Sequence, residues 1–198
     1  MKLIKMSILI FSLLITSISF ASTASAADGD CDPNGQSFPG YPSGTILLTV
    51  DPDDQYLASI PVRRGFYCIQ ANGTGLGFGY DKAWHRHNIK NLKSIQFVLQ
   101  APYYFEVASD IGGKGYNFVS YAQRKECDAE GNCEVKEDQK VVAATTTGNN
   151  DYYYGMPAGH PIGLVTVYCD YGDPLKLLCK DWVDVALAAG LTGTPRGK

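Results

Sequence analysis

Apolar and polar residues alternate over much of the chain beyond residue 44, which is the pattern of half-buried β-strands. The strand-like stretches are 45–50, 56–62, 64–70, the two halves of 94–108 around Pro102, 116–123, 134–145 and 162–169. Apolar spacing indicates helices over 80–91 and from an N-cap at Asp181 to Gly190. The pattern therefore predicts an α+β fold, mainly an antiparallel sheet with one or two packed helices, stapled by disulfides.

The first 26 residues follow a different pattern. Lys2 and Lys5 precede an apolar run over 6–20, and the small residues Ala24-Ser25-Ala26 follow it. This is the three-part layout of a secretory signal peptide, and a run of about 15 residues falls short of the roughly 20 that span a membrane. We expect cleavage near Ala26, no membrane span in the remainder, and a bacterial protein that is secreted or periplasmic.

The signal peptide changes what the composition means. The 198 residues are 45% hydrophobic and 19% charged, with a net charge of -3. Residues 27–198 alone carry 15 basic and 20 acidic side chains, a net charge of -5. This length suits one domain, with an irregular arm over 27–44 and a frayed tail over 192–198. An acidic domain is not typical of proteins that bind nucleic acid.

All six cysteines lie beyond the signal peptide, and an even number in an exported chain indicates three disulfides. Cys127 and Cys133 flank a turn-forming spacer, and Cys169 and Cys179 flank a loop that contains Gly172 and Pro174. These two local pairs leave Cys31 with Cys68. Zinc binding would need closely spaced cysteines or Cys/His clusters, which the chain lacks, so no metal site and no cofactor are predicted.

The stretch from Gly73 to Asn88 contains the largest group of candidate catalytic residues, with a glycine-rich segment before two histidines. Backbone N–H groups in such a loop can hold a phosphate, and His85 and His87 could then act as general base and acid. Lys82 and Arg86 would stabilise the negative charge at phosphorus. A second hypothesis is metal binding by His85 and His87 with a third ligand from elsewhere, His160 or an Asp. In the structural alternative, the glycines form a tight turn and Trp84 is a core anchor.

Residues 75–102 resemble a short stretch of barnase-like toxin nucleases, through the glycine-aromatic turn Gly77-Phe78-Gly79-Tyr80 and the histidine segment that follows. The resemblance implies a toxin-type ribonuclease that cleaves phosphodiester bonds with His85 and His87. Nucleic acid would be a partner only under this alternative, and the acidic composition does not favour it.

Tyrosines form the second candidate site. Tyr152, Tyr153 and Tyr154 follow one another in the predicted loop over 147–159, where aromatic side chains suit recognition of a protein or a sugar. Trp84 is a further ligand-binding candidate. The cluster Tyr103-Tyr104-Phe105 lies within a predicted strand, so packing is the favoured explanation there.

The C-terminal block resembles the ending of a family of secreted bacterial proteins of unknown function. The similarity is carried by a strand that ends at Cys169 and by the helix start Cys179-Lys180-Asp181-Trp182-Val183. It implies export and a Cys169–Cys179 disulfide, and it implies no activity.

The leading hypothesis is therefore a secreted effector or binding protein that recognises a cell surface, a glycan or a protein through aromatic loops. One alternative is the ribonuclease described above. The other is a periplasmic enzyme inhibitor that inserts a loop, such as residues 152–154, into a cleft.

Overall fold

The computed structural model describes residues 43–70, 73–109, 112–149, 152–154, 156–157 and 159–193. The predicted signal peptide, Cys31, most of the predicted arm and residues 194–198 lie outside the described residues. The helices are α1 (Gly79–His87), α2 (Leu92–Leu99) and α3 (Asp181–Ala188). The strands are β1 (Ile46–Val50), β2 (Ile60–Arg63), β3 (Phe66–Ile69), β4 (Gly75–Phe78), β5 (Tyr104–Val107), β6 (Gly115–Cys127), β7 (Cys133–Thr146), β8 (Tyr152–Tyr153), β9 (Met156–Pro157), β10 (Gly163–Cys169) and β11 (Thr192–Gly193). In this part of the chain, no helix is long and apolar enough to cross a membrane.

The main sheet is antiparallel and has the strand order β10-β7-β6-β11, with β5 also paired to β6. Its centre is the long hairpin of β6 and β7, whose register runs from Gly115↔Thr146 to Cys127↔Cys133. The predicted α+β architecture, dominated by antiparallel strands, is confirmed. Smaller two-stranded sheets, β1 with β2 and β3 with β4, lie outside this main sheet.

One face of the main sheet packs against the helices and forms the core. Phe118 and Leu164 on the sheet are buried together with Ile95 and Leu99 of α2 and Leu187 of α3. A second, smaller cluster contains Phe66, Cys68, Phe78 and Ile162. Because alternate residues of a strand face opposite sides, Asn117 and Ala144 lie on the sheet face away from this core.

The structure differs from the sequence predictions in the middle of the chain. The first half of the predicted strand 94–108 is helix α2, which begins after Asn91, whose side chain accepts a hydrogen bond from Lys93 N. Ile95, Val98 and Leu99 all face the core because they lie at helical spacing. The apolar run is short enough to fit either period, and the long-range packing decided between them.

Several other helices and strands begin or end at residues different from those predicted, for local reasons. Helix α1 ends at His87 rather than residue 91, because Asn88 adopts a left-handed conformation with φ of 63°. Part of the predicted glycine loop is strand β4. The N-cap of α3 is Lys180 rather than Asp181, and Thr192, predicted to lie in a frayed tail, pairs with β6 as part of β11.

Both local disulfides form as predicted. Cys127 and Cys133 close the tip of the β6–β7 hairpin with a Cα–Cα distance of 4.0 Å. Cys169 and Cys179 join the end of β10 to the start of α3, with a Cα–Cα distance of 5.2 Å. Cys68 is also disulfide-bonded, and Cys31, its predicted partner, lies outside the described residues.

Candidate functional site

The glycine-rich stretch before α1 is part of a hairpin. Phe66 and Phe78 are partners in the pairing of β3 with β4. Gly79, the first residue of α1, has φ of 74°, and a Cβ there would lie 2.6 Å from the carbonyl oxygen of Arg63. Glycine is therefore required here for the close approach of two backbone segments.

His85 and His87 are not brought together. They are two residues apart on α1, so their side chains point about 200° apart around the helix. His87 is buried, with 1% of its surface exposed, and its Nδ1 lies 3.1 Å from the carbonyl oxygen of Leu177. His85 is exposed and stacks on the ring of Trp84 at 5.0 Å. The arrangement does not support joint acid–base chemistry by the two imidazoles.

Burial controls the charge of these side chains. It lowers the pKa of His87 to about 4 and also lowers the pKa of His85, so neither imidazole is charged at neutral pH. Burial and the neighbouring Arg86 lower the pKa of Lys82 to about 8. Arg86 Nη1 donates a hydrogen bond to the carbonyl oxygen of Gly75 at 3.4 Å. Across the described parts of the chain, no three His, Cys, Asp or Glu side chains converge as metal ligands.

Trp84, predicted to bind a ligand, is half-buried and packs against the main core. Its ring meets Tyr80 edge-on at 5.6 Å and stacks with His85 on the other side. These contacts correspond to the structural alternative, in which Trp84 is a packing residue.

The tyrosine segment 152–154 lies over the second core cluster. The ring of Tyr153 is 5.1 Å from Phe78 and 4.5 Å from Tyr154, and the ring of Tyr154 is 5.6 Å from Phe66. Tyr154 remains 43% exposed. Tyr152 pairs through its backbone with β9, and its side chain is outside the described part. The segment is therefore anchored by aromatic packing and still presents aromatic surface to solvent.

Tyr153 also borders a pocket of about 160 Å³ on the sheet face away from the helices. We call it the sheet pocket. It is lined by residues from β5, β6, β7, β10 and the tyrosine segment, among them Val107, Ser109, Asn117, Ala144, Thr146 and Tyr153. None of its lining residues is charged.

The polar groups of the sheet pocket are a hydroxyl pair and an amide. Ser109 Oγ and Thr146 Oγ1 are 2.7 Å apart and share one hydrogen bond, and Thr146 also accepts from Gly148 N at 3.0 Å. The half-buried Asn117, near the start of β6, is in register with Phe105 on β5 and Ala144 on β7. Phe105 is 40% exposed on the same face of the sheet as Asn117.

The sequence predictions found Tyr153 but missed Asn117, Ser109 and Thr146. Asn117 could have been found from the sequence, because it is a polar residue between Tyr116 and Phe118, whose side chains lie on the opposite face of the sheet. Ser109 and Thr146 are 37 positions apart in the chain, and only the pairing of β5, β6 and β7 places them together.

No protein-family model, no curated protein and no solved structure matches this chain.

Proposed function

We propose that this chain is an exported binding protein whose sheet pocket holds one uncharged sugar ring of a glycan. The observation that carries the proposal is the combination of Tyr153 with the Asn117 amide and the Ser109–Thr146 hydroxyl pair in one pocket without charged lining residues. The ligand would lie against the tyrosine ring and exchange hydrogen bonds with the amide and hydroxyl groups.

The chemistry of the pocket supports a polar but neutral ligand. An aromatic ring offers an apolar face with a negative quadrupole, which suits the C–H face of a sugar. Asn117 carries two donors and one acceptor, and each hydroxyl can both donate and accept, as sugar hydroxyls require. A charged ligand would have no opposite charge among the lining residues.

The size of the pocket supports a single ring. Sites for drug-sized molecules have volumes of about 300–1,000 Å³, so 160 Å³ suits one ring with the rest of a chain outside. Ala144 contributes only a methyl group to the pocket lining. The exposed Phe105 and Tyr154 on this side of the molecule could contact neighbouring sugar units.

Export is the other part of the proposal. Disulfides are typical of proteins that fold in an oxidising compartment, and the predicted signal peptide would direct the chain there. Cys127–Cys133 and Cys169–Cys179 agree with this location. A binding protein for external glycans has to fold and stay stable in that environment.

A glycan array tests the proposal, followed by calorimetric titration with the best neutral glycan. Ala144→Leu adds a larger side chain to the pocket lining and should abolish binding, whereas Ala129→Leu, on the exposed hairpin tip, should leave it unchanged. Asn117→Ala should weaken binding about tenfold, because it removes hydrogen bonds worth about 1.4 kcal/mol in total.

Thermal unfolding of all three variants checks that the fold is retained. The proposal is wrong if the array shows no neutral glycan bound, or if Ala144→Leu binds as tightly as the unmodified protein.

A further inference from the structure

The loop 170–178 presents an unusually exposed apolar side chain. It connects β10 to α3, and Leu175 in this loop is 92% exposed, the largest value among the exposed large apolar side chains of the described residues. Leu178 in the same loop is 61% exposed. Tyr171 is 38% exposed as well, so three large apolar side chains of this one loop face solvent, and the loop is a candidate contact surface.

The backbone of the loop is held in one conformation. The disulfide of Cys169 with Cys179 closes its ends. Asp173 Oδ1 accepts a hydrogen bond from Leu175 N at 3.0 Å, and the carbonyl oxygen of Asp173 accepts one from Lys176 N at 3.0 Å. A loop fixed in this way loses little conformational entropy when Leu175 is buried by a partner.

A second set of contacts ties the loop to the body of the protein. The carbonyl oxygen of Leu177 lies 3.1 Å from Nδ1 of the buried His87. Asp170 N donates to the carbonyl oxygen of Lys140 on β7 at 2.9 Å. Within the loop, the hydroxyl of Tyr171 donates to the carbonyl oxygen of Leu178 at 3.1 Å. Leu175 therefore projects from a rigid base.

The charges of the loop are balanced locally. Asp170 is paired with Lys140 at 2.8 Å, and Asp173 lies 3.8 Å from Lys176. With both carboxylates matched, the loop offers a partner an apolar contact and no net charge. The surface that receives Leu175 should accordingly be an uncharged apolar pocket.

The same chain contains such a pocket. A half-open cavity of about 130 Å³, which we call the inner cavity, lies on the core side of the main sheet beside the loop before β2. Its lining includes the buried residues Ile60, Phe118 and Gly163 and the exposed residues Ala58 and Pro161, and no lining residue is charged. An apolar cavity of about 150 Å³ is large enough for benzene, so 130 Å³ can hold a leucine side chain.

The projecting leucine and the inner cavity lie at opposite ends of one strand. Gly163, which lines the cavity, begins β10, and Cys169, which anchors the loop, ends it. A strand of this length separates its ends by about 20 Å. Leu175 therefore cannot fill the cavity of its own chain, but a second copy in line with the first would bring the two together.

We propose that Leu175 of one copy inserts into the inner cavity of a second copy, so that the protein associates head to tail. This contact is heterologous, and each added copy leaves one free Leu175 and one free cavity. The association does not require a bound sugar, although Thr145 and Thr146 line both the inner cavity and the sheet pocket.

Sedimentation velocity of the purified, disulfide-bonded protein tests the proposal. The unmodified protein should form species that grow beyond dimers as its concentration rises. Leu175→Arg removes the inserted side chain, and Ala58→Arg places a charge at the cavity rim. Each variant alone should be monomeric, with association at least tenfold weaker. Val185→Arg, at a site 70% exposed on α3, is the matched control and should associate normally.

Mixing the two variants separates this geometry from any other contact. Leu175 of the Ala58→Arg protein can enter the intact cavity of the Leu175→Arg protein, and no further copy can then be added. The mixture should therefore contain dimers and nothing larger. A monomeric unmodified protein, normal association by Leu175→Arg, or a mixture that remains monomeric would each overturn the proposal.

Discussion

Arg64 Nε donates a hydrogen bond to Asp81 Oδ2 at 3.3 Å, and both side chains are buried, with 2% and 0% of their surface exposed. This ion pair joins the turn after β2 to the first turn of α1. Asp81 N also donates to the carbonyl oxygen of Arg64 at 2.8 Å. Burial raises the pKa of Asp81 to about 6, and the neighbouring Arg64 limits that rise.

Arg64→Met should lower the free energy of unfolding by about 3 kcal/mol at pH 7, because it leaves the Asp81 carboxylate buried without this cationic partner. The deficit should shrink as the pH falls from 7 to 4, since Asp81 then takes up a proton first in the folded protein. The double variant Arg64→Met/Asp81→Leu should be more stable than Arg64→Met. Urea unfolding at both pH values measures these differences, and a deficit that grows on acidification would contradict the argument.

His87 should make the protein less stable in acid. Its pKa in the folded protein is about 4, below the ordinary value of 6.5, so the unfolded chain takes up the proton first. The stability contributed by neutral His87 is complete above pH 6.5 and is lost as the pH falls towards 4, by about 3 kcal/mol.

His87→Asn can keep a hydrogen-bond donor near Leu177 but does not titrate. Between pH 6.5 and 4 this variant should lose about 3 kcal/mol less than the unmodified protein. His85→Asn should change the pH dependence less than His87→Asn does, because the large shift in pKa belongs to His87. Equal pH dependence of all three proteins would show that His87 is not held neutral by burial.

Gly65→Ala should destabilise the protein by more than about 3 kcal/mol. Gly65 has φ of 67°, and a Cβ there would lie 1.8 Å from the carbonyl oxygen of Phe78, so the backbone would have to move. Gly131 has a similar φ of 88° with no atom within 4 Å of its Cβ position. Gly131→Ala therefore measures only the cost of placing alanine in this left-handed backbone conformation, about 1 kcal/mol. Comparable urea midpoints for the two variants would refute the steric explanation.

Cys169→Ala/Cys179→Ala should lower the free energy of unfolding by about 2–3 kcal/mol, the typical value for a short disulfide-closed loop. Amide exchange in the loop 170–178 should accelerate more than in β6. Non-reducing peptide mapping should join Cys127 to Cys133 and Cys169 to Cys179, with Cys31 and Cys68 as the remaining pair. A peptide that links Cys127 to any other cysteine contradicts this arrangement.

The features that could be predicted from the sequence depend on residues close together in the chain. The β6–β7 hairpin has regular alternation, a turn-forming spacer and two cysteines at its tip, and all of these are local signals. The Cys169–Cys179 pair and the helix before Gly190 are local in the same sense. Helix α2 was missed because the apolar run from Ile95 to Leu99 suits either period until the sheet against which it packs is known.

The candidate functional residues can also be divided into those that the sequence indicated and those that only the tertiary structure brings together. Residue type and spacing drew attention to His85 and His87, but spacing cannot tell which imidazole is buried, and the contact with Leu177 joins residues 90 positions apart. The tyrosine segment was recognised from composition. Its neighbours Asn117, Ser109 and Thr146 come from three separate strands or strand ends.

The amino-acid order alone was sufficient for the α+β architecture, the two short-range disulfides and the prediction of export, because each depends on a local pattern that few structures can satisfy. The tertiary structure decided which side chains meet across the main sheet and which polar groups lose contact with water. It buried His87 and Asp81, placed Tyr153 beside a neutral pocket, and set Leu175 and the inner cavity at opposite ends of β10. Contacts of this kind join distant parts of the chain, and they arise from packing of whole elements.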